Sequence, residues 1–192
     1  MSEAQQPTQR EVLHFRAIEM TGSRRPDGLY EVEGRVTDRK TTRMGPMLSG
    51  RIVEPMEPLH DMGVRIVFDE DLTVHDVDTF TDASPHGRPC AEGGASLQTL
   101  KGLSMKKGWG KAVRDRLSGA RSCTHLMELL GPLATVAFQT LAALRVERAR
   151  QAGVPLRRTR VDTCYALAAD GDLVKTYIPD LYRPRAETPP HG

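Results

Sequence analysis

The sequence carries none of the short signatures that reveal a chemistry directly. It has no pair of cysteines at CxxC spacing, no HExxH, no phosphate-cradling glycine loop and no GxSxG elbow. Any metal or catalytic site must therefore be assembled from distant segments. Charge of one sign is also missing. The 27 basic and 25 acidic side chains leave a net +2 over 192 residues, too weak a field to recruit nucleic acid or an anionic membrane. The basic clusters at Arg24/Arg25, Lys106/Lys107 and Arg157/Arg158/Arg160 are short and read as solvated surface. No basic segment followed by an apolar one opens the chain, so no secretory signal is expected. The most apolar run, 126–144, is interrupted by Glu128, Gly131, Pro132, Gln139 and Thr140, which is not the makeup of a membrane span. These absences predict a cytoplasmic protein with no membrane partner. They argue against nucleic acid and leave a protein partner or a small-molecule substrate open. Cysteine is scarce: Cys90, Cys123 and Cys164 are the only three. In a reducing compartment they are buried small hydrophobes, metal ligands or nucleophiles rather than disulfide partners.

What is present is an ordinary globular composition, 39% hydrophobic and 27% charged, which predicts one domain. Polar tails are expected at 1–10 and 183–192 around a single α+β domain at 11–182. The segment from Glu11 and the alternating LYEVEGRVTDRK flank a Gly/Pro loop at 22–28 and predict a long antiparallel hairpin. A strand at 62–68 puts Val64, Ile66 and Phe68 on one face, and a second at 72–80 has Val74, Val77 and Phe80 slightly out of phase, which predicts a bulge. A Pro/Gly-rich loop then carries Cys90, and two helices follow, ended near Gly102 and Gly119. The main helix, 123 to about 150, is expected to bend at Gly131–Pro132 and to bury Leu126, Leu130, Leu133, Ala137 and Leu141. Asp170–Gly171 predicts a closing hairpin with Cys164 in its first strand. Trp109, the only tryptophan, stands between glycines at a helix start, as a structural plug would.

Chemistry concentrates at the start of the main helix. Ser122 is the expected N-cap, which places Cys123 and His125 in the first turn, where free N–H groups and the helix dipole favour a thiolate. Residues i and i+2 of a helix point about 200° apart, so Cys123 and His125 can share one ion only if the first turn is irregular. His60 and Asp61 stand at a strand entry. His14, His75, His86 and His191 have no partner suggested by spacing and read as surface.

Several pieces, in order, resemble a bacterial family known as a domain of unknown function, number 2889: RRPDGLYEVEGRVTDRKT, HDMGVRIVFDEDLTVHDVDTFTDASPH, Cys90, LKGL with GWGKAVRDRL, CTHLMELLGPLATVAFQT and DTCYALAADGDLV. This resemblance covers about residues 12–180 and implies no established activity. A more distant one concerns iron–sulfur cluster assembly scaffolds, whose order of elements resembles 60–141. It implies an antiparallel sheet with helices on one face, the N-terminal hairpin being an addition. Carried over by position, Cys90 and Cys123 match thiolate ligands and Asp61 a carboxylate, while His60 stands where a thiolate is expected. Two sulfurs with nitrogen or oxygen suit zinc or a mononuclear iron as well as a cluster.

Three readings follow. In the first the protein binds zinc or iron through His60, Asp61, Cys90, Cys123 and His125. In the second Cys123 is the nucleophile of an enzyme, with His60 or His125 as base. In the third the chain is a structural or partner-binding module with merely buried cysteines.

Overall fold

The computed structural model describes residues 10–153 and 160–185, and the chain divides into two compact units, 1–140 and 141–192. Most of the two expected tails, together with His191, Arg157 and Arg158, lies outside the described residues.

The first unit is α+β. Four strands, β1 (His14–Arg24), β2 (Tyr30–Lys40), β3 (Pro58–Phe68) and β4 (Val74–Ala83), form an antiparallel sheet in the order β1-β2-β3-β4. Every strand therefore pairs with its neighbour in sequence, and the N-terminal hairpin belongs to the same sheet. Strict alternation along β2 buries Tyr30, Val32, Gly34, Val36 and Asp38 on one face and leaves Glu31, Glu33 and Arg35 on the other. On β3 the residues opposite them are Phe68, Ile66, Val64, Met62 and His60. The register slips between Asp38 and Arg39, where β3 carries Leu59 as an extra residue, and on β4 at His75, where the phase of its apolar residues predicts a bulge.

The helix α3 (Thr124–Thr140) covers the buried face, touching β1, β2 and β3. It buries Leu126, Leu129, Leu130, Leu133 and Ala137. Close approach is possible because Gly34 has no side chain: a Cβ there would lie 3.2 Å from Leu133 Cδ2. Two shorter helices, α1 (Arg88–Glu92) and α2 (Trp109–Leu117), precede α3, joined by a 3₁₀ segment at Ala95–Leu100. Trp109 opens α2, is 5% exposed, and donates its Nε1–H to the Leu130 carbonyl at 2.8 Å. It is a plug with a satisfied polar handle.

Two sequence expectations about α3 are corrected. Ser122 does not cap it: its Oγ donates to the Gly93 carbonyl, while the Cys123 carbonyl accepts the first intrahelical bond, from Met127 N–H at 3.0 Å. Nor does the helix run to 150 with a bend at Pro132. Pro132 sits on the exposed face, and α3 continues through it. The break comes at Leu141, just after Thr140 turns its hydroxyl back onto the Val136 carbonyl at 2.8 Å, a bond that competes with the helical ladder.

The second unit contains α4 (Ala142–Gln151), a 3₁₀ turn at Tyr165–Leu167 and α5 (Asp172–Tyr177), and buries Leu141, Ala169, Val174 and Ile178. The closing hairpin is absent among the described residues. Gly171 has φ −88°, ψ 158° and caps α5 instead of supplying the positive φ of a tight hairpin, and Val174 and Ile178 have helical spacing. Cys164 is exposed rather than in a strand.

Candidate metal centre

At one end of the sheet the alternation that elsewhere buries valine and isoleucine delivers charge. Arg16, Asp38 and His60 stand directly opposite one another on β1, β2 and β3, on the face that α3 covers. Asp38 is 1% exposed, a carboxylate in core phase. Such a group persists only when it is paired. Arg16 grips it with both arms, Nε to Oδ1 at 2.7 Å and Nη2 to Oδ2 at 2.8 Å. His14 Nε2 lies 3.2 Å from Oδ1, and His60 Nδ1 lies 3.1 Å from Oδ2. From above, the first turn of α3 brings His125, with Nε2 at 3.8 Å from Oδ2 and its ring tilted against that of His60 at 3.8 Å between centroids. One ligand atom each from Asp38, His60 and His125 lies within 4.8 Å of the others, so the group could hold a metal ion.

The electrostatics favour this. Burial by itself would raise the Asp38 carboxyl, but the Arg16 hydrogen bonds and charge, helped by His60 and His14, outweigh it and hold the group below the ordinary carboxylate range. Burial pushes His60 below the ordinary histidine value and the neighbouring His125 adds to the push, against the pull of Asp38. A neutral imidazole beside an ionised carboxylate is the protonation state a metal ion requires.

A pH dependence follows. Because His60 is depressed in the folded state, the unfolded chain binds more protons below about pH 6.5, the ordinary histidine value. Its contribution to stability is complete above that pH and is lost as pH falls through 6.5 towards the lowered value. Asp38 acts in the same sense lower down, contributing above about pH 3.9 and losing that contribution as pH falls through its own lowered value. Urea unfolding from pH 7.5 to 5 is therefore expected to show falling stability with a smaller slope in His60→Asn. Equal slopes in the two proteins would contradict the assignment.

Of the five residues the sequence nominates, His60 and His125 come together here. Asp61 does not join them: adjacent strand residues face opposite ways, and Asp61 accepts both arms of Arg35 on the other face, at 2.6 and 2.8 Å. Cys90 sits in α1 rather than in a loop. No group of three or more metal-ligating side chains among the described residues includes Cys90, Cys123 or Asp61. Cys123 lies beside the centre. Standing outside the helix proper, its Sγ reaches to 3.9 Å from His125 Nδ1 and 3.8 Å from Met62 Sδ.

Asp38, Arg16 and His14 are the members that sequence reasoning missed: His14 is at the surface as expected, but it has a partner in Asp38. A signal existed. Asp38 continues the buried series 30, 32, 34, 36, and a carboxylate in that phase demands a partner. His75, also read as unpartnered, pairs with Asp69 at 2.9 Å.

Residues 14–139 match the family described as protein of unknown function (DUF2889). No curated protein and no solved structure matches the chain. The resemblance to iron–sulfur scaffolds thus has no support, and the convergence of Asp38 with two imidazoles, without either matched thiolate, is a different donor set.

Proposed function

The chain belongs to the DUF2889 family, and we propose that it is a metal-binding protein that holds zinc or iron through Asp38 Oδ2, His60 Nδ1 and His125 Nε2. The observation that carries this reading is the convergence of the three ligand atoms within 4.8 Å. Lone pairs sharpen it. An ionised carboxylate offers about four acceptor positions, two on each oxygen. Arg16 takes one on each oxygen and His14 faces Oδ1. The remaining position is on Oδ2, the oxygen that His60 and His125 approach. A proton on His60 Nδ1 or a cation can fill it, but not both.

Two imidazoles and one carboxylate suit zinc or non-haem iron(II), and three protein ligands leave a position open for water or a substrate. Elemental analysis after anaerobic purification, with cobalt(II) titration followed in the visible spectrum, tests the reading. One equivalent of metal is expected in the native protein, and His60→Ala and His125→Ala should each weaken binding roughly 100-fold or more. Cobalt affinity unchanged by both substitutions would refute it.

A second reading has its own observation, the Cys123 thiol beside His125 Nδ1. In it His125 deprotonates Cys123, which acts as a nucleophile. Metal-free protein in which Cys123 alone is rapidly alkylated, with the rate lost in His125→Ala, would favour it over the first.

A further inference from the structure

Arg16 gives two of its arms to Asp38 and has a third, Nη1, directed at the Glu128 carboxylate at 2.5 Å. Glu128 stands one turn along α3 from His125, so the two share a helix face. From this geometry we propose that the metal centre takes a small oxyanion, a carboxylate or a phosphate, held between the bound cation and Arg16 Nη1 in the place that Glu128 occupies. The inference rests on the metal-binding reading above.

Charge leads to it first. With a divalent cation in place, Asp38 and Arg16 cancel and an imidazole that ligates the cation brings no charge of its own, so the cation's two positive charges stand uncompensated before Glu128 is counted. A low-dielectric site with that excess attracts an anion. Glu128 supplies one, but weakly. Its side chain is 52% exposed and that of Arg16 32% exposed, and water screens an ion pair this open. A ligand carboxylate or phosphate can therefore displace it at little cost.

Distance allows the bridge. A cation at about 2.1 Å from Asp38 Oδ2 lies no more than about 5 Å from Arg16 Nη2, which sits on the same oxygen, and Nη1, the nitrogen facing Glu128, is bonded to the same guanidinium carbon. One oxyanion can place an oxygen on the cation's open position and a second on the guanidinium. His14, 36% exposed at the rim, lies on the other carboxylate oxygen and leaves this approach free.

The test uses the full chain loaded with cobalt(II), titrated separately with acetate and inorganic phosphate while the visible spectrum is followed. Saturable spectral change is expected with at least one of the two, and the tighter of them fixes the class. Glu128→Gln, an exposed change outside the ligand set, removes the resident anion and should tighten binding roughly three- to tenfold. Arg16→Lys, which cannot bridge, should weaken it. Cobalt that binds with a spectrum neither anion alters would overturn the oxyanion proposal and leave the metal reading standing. Equal anion affinity in Glu128→Gln and the native protein would overturn the seat at Glu128. Failure of cobalt to bind at all would refute the reading beneath and this proposal with it.

Discussion

Asp38→Ala is expected to destabilise the first unit by about 2–3 kcal/mol and to abolish binding of any divalent cation at the site. Size does not explain the first effect, because a small cavity at a polar site refills with water. What remains is Arg16 without the two carboxylate oxygens it holds, together with His60 deprived of its partner. Asp38→Asn keeps the shape and one acceptor and should cost less, yet it removes the charge a cation needs. Denaturant midpoints compared with cobalt titration separate the two effects. If Asp38→Ala unfolds within about 1 kcal/mol of the native protein, the carboxylate is not what organises this end of the sheet.

The other large effect is expected away from the site, at Gly63. A Cβ there would meet the Phe80 ring, with Cε1 at 2.7 Å, and also the carbonyl oxygen of Gly34 on the neighbouring strand. The ring can swing aside, at the loss of its contact with Arg35 at 5.6 Å. The carbonyl belongs to the ladder and cannot move. Gly63→Ala should therefore cost about 3 kcal/mol, the upper end of the overpacking range. Adding Phe80→Leu should recover part of this and no more, since the backbone clash remains. Full recovery in the double variant would place the whole strain in the ring.

The fold was largely legible in the chain because period and punctuation agreed. Alternation in LYEVEGRVTDRK and GVRIVFD yields adjacent strands with Val64, Ile66 and Phe68 buried, and the apolar spacing of Leu126, Leu130, Leu133 and Ala137 supplies the helix that covers them. Errors arose where a local signal competed with a tertiary one. Asp170–Gly171 resembles a hairpin turn, but the helical spacing of Val174 and Ile178 prevails. Pro132 looks like a breaker, yet it lies on the exposed face and the helix runs on through it.

The site was half legible for a related reason. His60 and His125 stand out by residue type, whereas Asp38 and Arg16 lie inside alternating charged stretches, where acid and base are expected on the solvated face. Only phase distinguishes Asp38 from Glu31 and Glu33, and phase has to be counted from the valines. Grouping Asp61 with His60 rested on adjacency in sequence, which in a strand means opposite sides. The cysteines drew attention by chemistry, but packing puts Cys123 next to the ligand group and outside it.

The strand that brings His14 and Arg16 to Asp38 is also the open border of the sheet, with no strand beyond it among the described residues. Ten of its eleven residues are exposed, and so are Val12 and Leu13 just before it. Borders of this kind invite a second chain to add on, and the segment VLHFRAI is held back from doing so by two interposed polar side chains. The residues that hold Asp38 thus also guard against self-association. His14→Val combined with Arg16→Leu would leave seven consecutive apolar residues on an unpaired edge. That protein is expected to scatter light and form cross-β aggregates at concentrations where Asp38→Ala, though less stable than the native chain, keeps its edge charges and remains dispersed.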